Sequence, residues 1–584
     1  MSSTEPGPRR RCAPYACRVV AAASLAALLP AAGCTVGPDY KSPATPTPDA
    51  WGELSGPGGP GTRPTAAAPV VRWWRTFDDA ALDELVDRAV ASNRDLRRAR
   101  ARVREARAAR DVVRADLFPE ANVGGTYTHN RFSAGGFGGV TRTGGGSGGT
   151  GGGTGTGGGT GSGGGGTGTG GSPAGAAAAF GAAGGQIDLY QAGFDASWEI
   201  DVFGGVRRGV EAASADLAAA VEDERDVLVT LLGDVARSYI ELRGYQRQAA
   251  IARENLAAQQ DTLELTRNRL RAGIATDLAV AQAEAQVAST AAALPQLDAL
   301  ARQSIHRLGV LLGESPMALS DALAPPRAIP KGPPEVPVGL PSDLLRRRPD
   351  VRRAERQLAA ATARIGVATA DLFPRFSLTG SIGTQATEAG DLFNYANRFY
   401  SFGPSIRWPI FDAGRIRANI RVQNAREEQA AAAYEQSVLT ALREVEDALV
   451  GYLREEDRRR RLGEAAEANR RAVDLATQLY NAGRTDFLNV LQAQRDLFAS
   501  QDALVQSERT VSTSLVALYK ALGGGWQPTD GAAPVTRPAA ANDCCRGGYW
   551  RGLVSRQTAA TTRSRWPAGF ALGHSPARRP SPPA

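Results

Sequence analysis

Cysteine and histidine are scarce in this chain, with five and three in 584 residues. So few cysteines exclude a disulfide scaffold, and no CxxC pair is present to hold zinc or a redox disulfide. His129, His306 and His574 lie far apart in sequence, which argues against a histidine metal cluster or histidine-centred catalysis. No G-x-S-x-G in a strand-turn-helix setting, no HExxH and no P-loop pattern occurs, so a secreted enzyme lacks a site and no cofactor is called for. The apolar run Val19–Leu29 is about eleven residues, too short to cross ~30 Å of hydrocarbon as a helix. A working excess of one charge is missing too. The formal +8 sits at the ends, with +3 in residues 1–33, +7 in 537–584 and −2 in everything between. A nucleic-acid partner is therefore not expected.

What is present at the N-terminus is an address. Arg9–Arg11 and Arg18 precede the short apolar run, and small residues follow, the pattern of a secretory signal. Ala31-Ala32-Gly33-Cys34 resembles a bacterial lipoprotein box, with Ala31 where leucine is usual, and makes Cys34 the candidate for lipidation. Ordinary cleavage with Cys34 merely nearby is the alternative. By the same resemblance, Thr35 rather than aspartate after the cysteine favours sorting to the outer membrane. Loss of residues 1–33 removes Cys12 and Cys17 and leaves Cys544-Cys545 as free thiols. A Pro-, Gly- and Thr-rich linker then runs to about residue 74.

The remainder repeats itself. Ala115-Asp-Leu-Phe-Pro119 recurs as Ala370-Asp-Leu-Phe-Pro374, an offset of 255. Trp198 and Trp408, Gly273 and Gly483, and Gly313 and Gly523 are each 210 apart. Two constant offsets with one jump indicate an internal duplication with a 45-residue insertion, which holds the glycine-rich segment 135–185. The expected organisation is a signal at 1–33, a lipid-anchored linker at 34–74, repeats at 75–330 and 331–526, and a disordered tail at 527–584.

Each repeat reads as a helix, two strands, a very long helix, a glycine turn and a second helix. The first helix is expected at 80–114 and again at 342–369. Period-two alternation marks strands at 121–129, 190–202, 375–382 and 402–410. In the second of these Tyr190, Phe194, Trp198 and Ile200 alternate with Asp195, Glu199 and Asp201. The long helices are expected at 206–271 and 415–480, about 100 Å each at ~1.5 Å per residue. Leu228, Val235, Leu242, Ala249, Leu256, Leu263 and Leu270 recur every seven residues, a supercoiled seam.

Four strands with one apolar and one polar face fit a transmembrane barrel, but four cannot close one, and open edges are not tolerated in lipid. Closure needs further copies, and three would give twelve strands. Asp195, Glu199, Asp201 and Arg407 would then line a wet lumen, and the long helices would extend it as a tube.

Several motifs together resemble the TolC-like outer membrane efflux proteins, in the lipoprotein (NodT-type) branch serving resistance-nodulation-division drug pumps. They are Cys34-Thr-Val-Gly-Pro-Asp-Tyr40, Trp73-Trp74, Arg347-Arg348-Pro349-Asp350, both Ala-Asp-Leu-Phe-Pro segments, Trp198–Gly204 and Trp408–Gly414. The resemblance implies a mainly α fold with a membrane β-barrel. It implies a homotrimer with a twelve-stranded barrel continuous with a twelve-helix periplasmic tunnel. A periplasmic adaptor and an inner-membrane pump are implied partners. It places a gate and adaptor-docking tips at the turns around Gly273 and Asp277, and Gly483 and Asp486. Leu488 maps to a hydrophobic ring and Arg495 to an arginine tying the tips shut. Asn489 and Gln492 occupy positions that are acidic in the family, so the ring should be neutral unless Asp486 or Asp496 supplies charge. Service to type I secretion or metal efflux is the rival within transport. A lipid-anchored coiled-coil structural protein is the rival outside it.

Overall fold

The computed structural model describes residues 35–52, 63–65, 70–131 and 186–527. Cys34, the glycine-rich segment 135–185 and residues 528–584 lie outside them. Among the described residues there are six strands, β1 Arg63–Thr65, β2 Glu120–Arg131, β3 Gln186–Ile200, β4 Glu335–Pro337, β5 Arg375–Ala386 and β6 Arg398–Arg407. Its seven principal helices are α1 Ala80–Ser92, α2 Arg94–Ala115, α3 Gly205–Arg271, α4 Asp277–Leu311, α5 Pro349–Ala370, α6 Arg415–Asn481 and α7 Phe487–Ala521. The long helices α3 and α6 both have 67 residues, and α4 and α7 both have 35.

The first helix of each expected repeat is broken, a correction to the continuous helices read at 80–114 and 342–369. Asn93 separates α1 from α2: its backbone is extended, and its side chain accepts from Leu96 N at 2.8 Å while donating to Leu311 O at 2.8 Å. A side chain that caps the next helix and is claimed by another segment makes a new start cheaper than continuation. In the second half Pro349 supplies the break, because proline disfavours helical backbone at the residue before it, here Arg348.

β2, β3, β5 and β6 form one antiparallel sheet in that order, and β1 pairs with β4 in parallel. The register puts Val123, Phe194 and Ile382 side by side on one face, with Asn122, Asp195 and Ser381 on the other. β6 stops at Arg407, short of the expected 410, because Pro409 cannot donate to a ladder. Trp408 lies beyond it and donates its indole N–H to Leu372 O at 3.0 Å, as Trp198 does to Leu117 O at 3.0 Å.

The long helices follow the strands in the chain and pack side by side. α3 packs against α2 and α5 along its first half and against α4 and α7 along its second, while α6 packs on α5 and then α7. The principal core lies part-way along, where Trp73, Trp74, Phe77, Val235, Tyr239, Val445, Leu515 and Tyr519 are buried together. Trp73 stacks on Tyr519 with ring centroids 5.4 Å apart. The seam residues Val235, Leu242, Ala249 and Leu263 are buried, and Leu228, Leu256 and Leu270 are half-buried. Among the described residues no helix is long and apolar enough to cross a membrane.

Residues 35–52 run along these helices as a strap. Val36 N–H donates to Phe203 O at 3.2 Å, and the buried Arg208 donates to Val36 O at 3.1 Å and to Asp39 at 2.6 Å. Gly37, at φ +90°, lies so close to Gly366 that a Cβ on it would meet the Gly366 Cα at 2.5 Å. Tyr40 donates to Glu355 at 3.2 Å, and burial followed by the Glu355 charge pushes its phenol up to about 12. Buried Trp51 ends the strap by donating to Gly339 O at 2.9 Å.

Candidate functional site

The first functional surface is the sheet. On one face Phe194 is 63% exposed, Ile382 60% and Phe402 80%, an apolar surface with no protein covering it. Soluble proteins rarely leave such a contiguous patch bare. On the opposite face Asp195 stands between Asn122 and Ser381. Glu199 stands opposite Ser377, with a carboxylate oxygen 3.9 Å from Arg375, and Arg407 stands opposite Arg375. These three charges thus share the polar face. Asp201 does not. It lies past the end of β3, where its carboxylate accepts from Arg207 N–H at 2.8 Å and from the Arg207 guanidinium at 3.2 Å. It caps the start of α3 rather than lining a strand.

The second surface is the pair of helix turns at the far ends of the long helices. α3 closes at Gly273, φ +75°, with Ile274 N–H reaching back to Arg269 O at 2.9 Å. α6 closes at Gly483, φ +67°, with Arg484 N–H reaching Leu479 O at 2.9 Å. Both are glycine-terminated closures in which a left-handed residue lets the last carbonyls be satisfied. Thr276, rather than Asp277, caps α4 by accepting from Ala279 N–H at 3.3 Å, and Asp277 begins the helix. Asp486 holds the capping position of α7 without a side-chain cap bond.

Leu488 is 57% exposed, whereas its neighbour Phe487 is buried with Leu263, Tyr480, Val490 and Leu491 in a small cluster behind the turns. Asn489 donates to Thr485 of the preceding turn at 2.7 Å and Gln492 to Asp496 of its own helix at 2.9 Å, so both neutral side chains have partners within four residues of chain. Arg495 takes neither Asp486 nor Asp496 within the protomer. It donates to the buried Gln286 of α4 at 2.6 Å.

The sequence reading did not single out Gln286, Arg208 or Arg269. The only signal for Arg269 was a basic residue in the last turn of a helix, a position that suits cations. Arg208 showed only as a charge near the start of α3, with no pattern linking it to residues so far upstream.

A sheet bare on its apolar face and polar on the other, extended by four helices that end in glycine turns, defines an outer-membrane channel subunit. The chain matches the model of the outer membrane efflux protein family over residues 85–314 and 340–524, and it belongs to that family. It is 35% identical over 462 residues to the pyoverdine export outer membrane protein OpmQ of Pseudomonas aeruginosa, covering 79% of this chain and 89% of that one. It is 34% identical over 517 residues to the solvent efflux pump outer membrane protein SrpC of Pseudomonas putida, covering 86% and 97%. Among solved structures it superposes on the outer-membrane channel OprN with a TM-score of 0.73 at 37% identity, covering 85% of this chain and all of that one. It matches CusC with a TM-score of 0.65 at 29% identity, covering 84% and 100%. The protein is an outer-membrane efflux channel component of the TolC-like kind, not an enzyme.

Proposed function

We propose that three copies of this chain close a twelve-stranded barrel and a twelve-helix tunnel, forming the passive exit duct of a tripartite efflux system of the resistance-nodulation-division type. The observation that carries this reading is the bare apolar face of the sheet. It needs lipid, and its edge strands β2 and β6 have no further partner among the described residues. Lipid tolerates no open edge, so copies must supply one another's partners. The equal helix lengths and the two stretches of family match support two duplicated repeats, 75–330 and 331–526.

Asp195, Glu199 and Arg407 line the water-filled bore. The turns at Gly273 and Gly483 form the periplasmic tip, where a periplasmic adaptor docks and couples the duct to an inner-membrane pump. The cargo is of the class its relatives' names indicate, small organic molecules such as siderophores and solvents. Cys34 carries the lipid anchor. In support, Thr35, the next residue, packs on Gly204 at the junction of β3 and α3. Electron microscopy of detergent-purified protein tests the duct: a threefold cylinder well over 100 Å long supports it, and a thin rod without bilayer conductance refutes it.

Leu488 forms the ring of the aperture and Arg495 restrains it. With Asn489 and Gln492 neutral, a trivalent cation on the periplasmic side leaves the wild-type conductance unchanged. The double variant Asn489→Asp/Gln492→Asp acquires a block. Planar-bilayer recordings decide between these outcomes.

A further inference from the structure

The two edges of the protomer differ in charge from the joint inside it. The strands run in the order β2, β3, β5, β6, and next to the sheet α2 packs on α3, α3 on α5 and α5 on α6. The α3–α5 joint is therefore internal. Under the duplication its counterpart is α6 meeting the α2 of the next copy, at offsets of 210 and 255. The internal joint touches at Gly205 and Ala370 and at Arg208 and Gly366, which sets the seam's register at Arg415 and Ala115 and at Ala418 and Asp111.

In the internal joint, residues 198–216 and 361–373 carry three arginines against five acids, and the arginines are paired. Arg364 donates to Asp216 at 2.6 Å, Arg207 to Asp201 at 3.2 Å and Arg208 to Glu211 at 2.8 Å. The counterpart residues, 408–426 and 106–118, carry seven arginines against Asp111, Asp116 and Asp412. Glu211 is matched by Arg421, Asp216 by Arg426, Thr362 by Arg107 and Thr369 by Arg114. Among the described residues of the protomer, the one ion pair in these segments joins Arg110 to its neighbour Asp111 at 2.6 Å. Arg107, Arg114, Arg415 and Arg421 are exposed. At ~1.5 Å per residue all four lie within about 12 Å of the helix ends that face the sheet.

Between these arginines and the sheet, Phe118, Trp408, Ile410 and Phe411 are exposed in the short linkers. Apolar side chains beside a membrane sheet, with guanidiniums just beyond them, suit a ligand that is apolar at one end and anionic at the other. A guanidinium takes a phosphate through two parallel hydrogen bonds, and basic clusters beside a bilayer attract anionic head groups. A second strap is a poor fit, because Asp111 stands where Gly366 lets Gly37 approach.

We propose that each seam between copies binds an anionic phospholipid of the leaflet nearest the helices, its phosphate held by Arg107 and Arg114 of one copy and Arg415 and Arg421 of the next. The inference rests on the trimer reading, since neither edge alone gathers the set. Like charges facing one another across the seam would repel, and the phosphate offsets them.

The test uses purified full-length trimer in phosphatidylcholine nanodiscs, with spin-labelled phosphatidylglycerol or phosphatidylcholine as the reporter. Wild type should immobilise the phosphatidylglycerol label several-fold more than the phosphatidylcholine label, and added salt should reduce that preference. Arg114→Gln/Arg421→Gln should abolish it, while Arg470→Gln, far along α6, should leave it intact. The heat-modifiable trimer band checks assembly, and if the double variant does not assemble, each single variant should show a partial loss. Equal immobilisation of both lipids by wild-type trimer overturns the site and leaves the trimer standing. A preference unchanged in the assembled seam variants, or lost equally in Arg470→Gln, overturns it too. A wild-type protein that is monomeric in the nanodisc overturns the trimer reading and the site with it.

Discussion

Single residues in this protein act by joining segments far apart in sequence. Arg348 is buried and donates to Asp350 at 2.6 Å, to Glu444 at 2.7 Å and to Ala521 O at 3.0 Å, so one guanidinium pins α5, α6 and the end of α7 together. Arg348→Ala removes a charged hydrogen-bonding partner from two part-exposed carboxylates and a carbonyl, at a cost of about 1.5–3 kcal/mol. The expected result is a clear drop in the trimer's thermal dissociation temperature, and an unchanged temperature would refute the assignment. Burial alone would raise the Asp350 carboxyl, but hydrogen bonding and charge from Arg348 prevail and hold it below its ordinary value. A carboxyl lowered in the fold stabilises it fully above the unfolded value of about 3.9 and loses that contribution as pH falls through the lowered one. Acid titration of wild type should therefore show this part of its stability disappearing only below about pH 4. In Arg348→Ala, where burial alone acts to raise the carboxyl, this acid loss should vanish or reverse in sign.

At the scale of elements, the strap depends on close backbone approach rather than on propensity. The strap sits on α5 only because Gly37 meets Gly366, where an added Cβ would lie 2.8 Å from the Arg208 side chain. Gly366→Leu should therefore lift the strap while leaving the helices folded. Trypsin would then cleave after the exposed Lys41 much faster than in wild type, and an unchanged cleavage rate would sink the idea. Helix lengths, strand phases and turn glycines were legible from periodicity, because each depends on neighbours within a few residues. The seating of the strap was not, since Arg208 and Val36 are brought together only by folding.

For the whole molecule, the decisive property of the proposed barrel is that each face of the sheet would meet a different solvent. Ile382 and Ser381 are adjacent residues on opposite faces. Ile382→Arg puts a charge on the lipid face, costing about 2–4 kcal/mol near the midplane of a bilayer. Ser381→Arg puts the same charge in the bore. The first should lower the yield of heat-modifiable trimer, and the second should leave the yield intact and shift ion selectivity toward anions. Equal effects on yield would contradict the assignment of faces.

The sequence by itself determined the local grammar of this channel: the seven-residue seam, the alternating strands, the glycine closures and the two offsets that reveal a repeat. These follow from short-range sterics and from where apolar side chains recur. Only the tertiary structure decided what those elements do to one another. It set the Asp201 carboxylate on the start of α3, tied Asn93 at the first helix break to Leu311, and gave Arg495 to Gln286. The reason is physical. A charged or polar side chain reaches several ångströms in many directions, and the acceptor it takes depends on which backbones the packed core has already brought within reach.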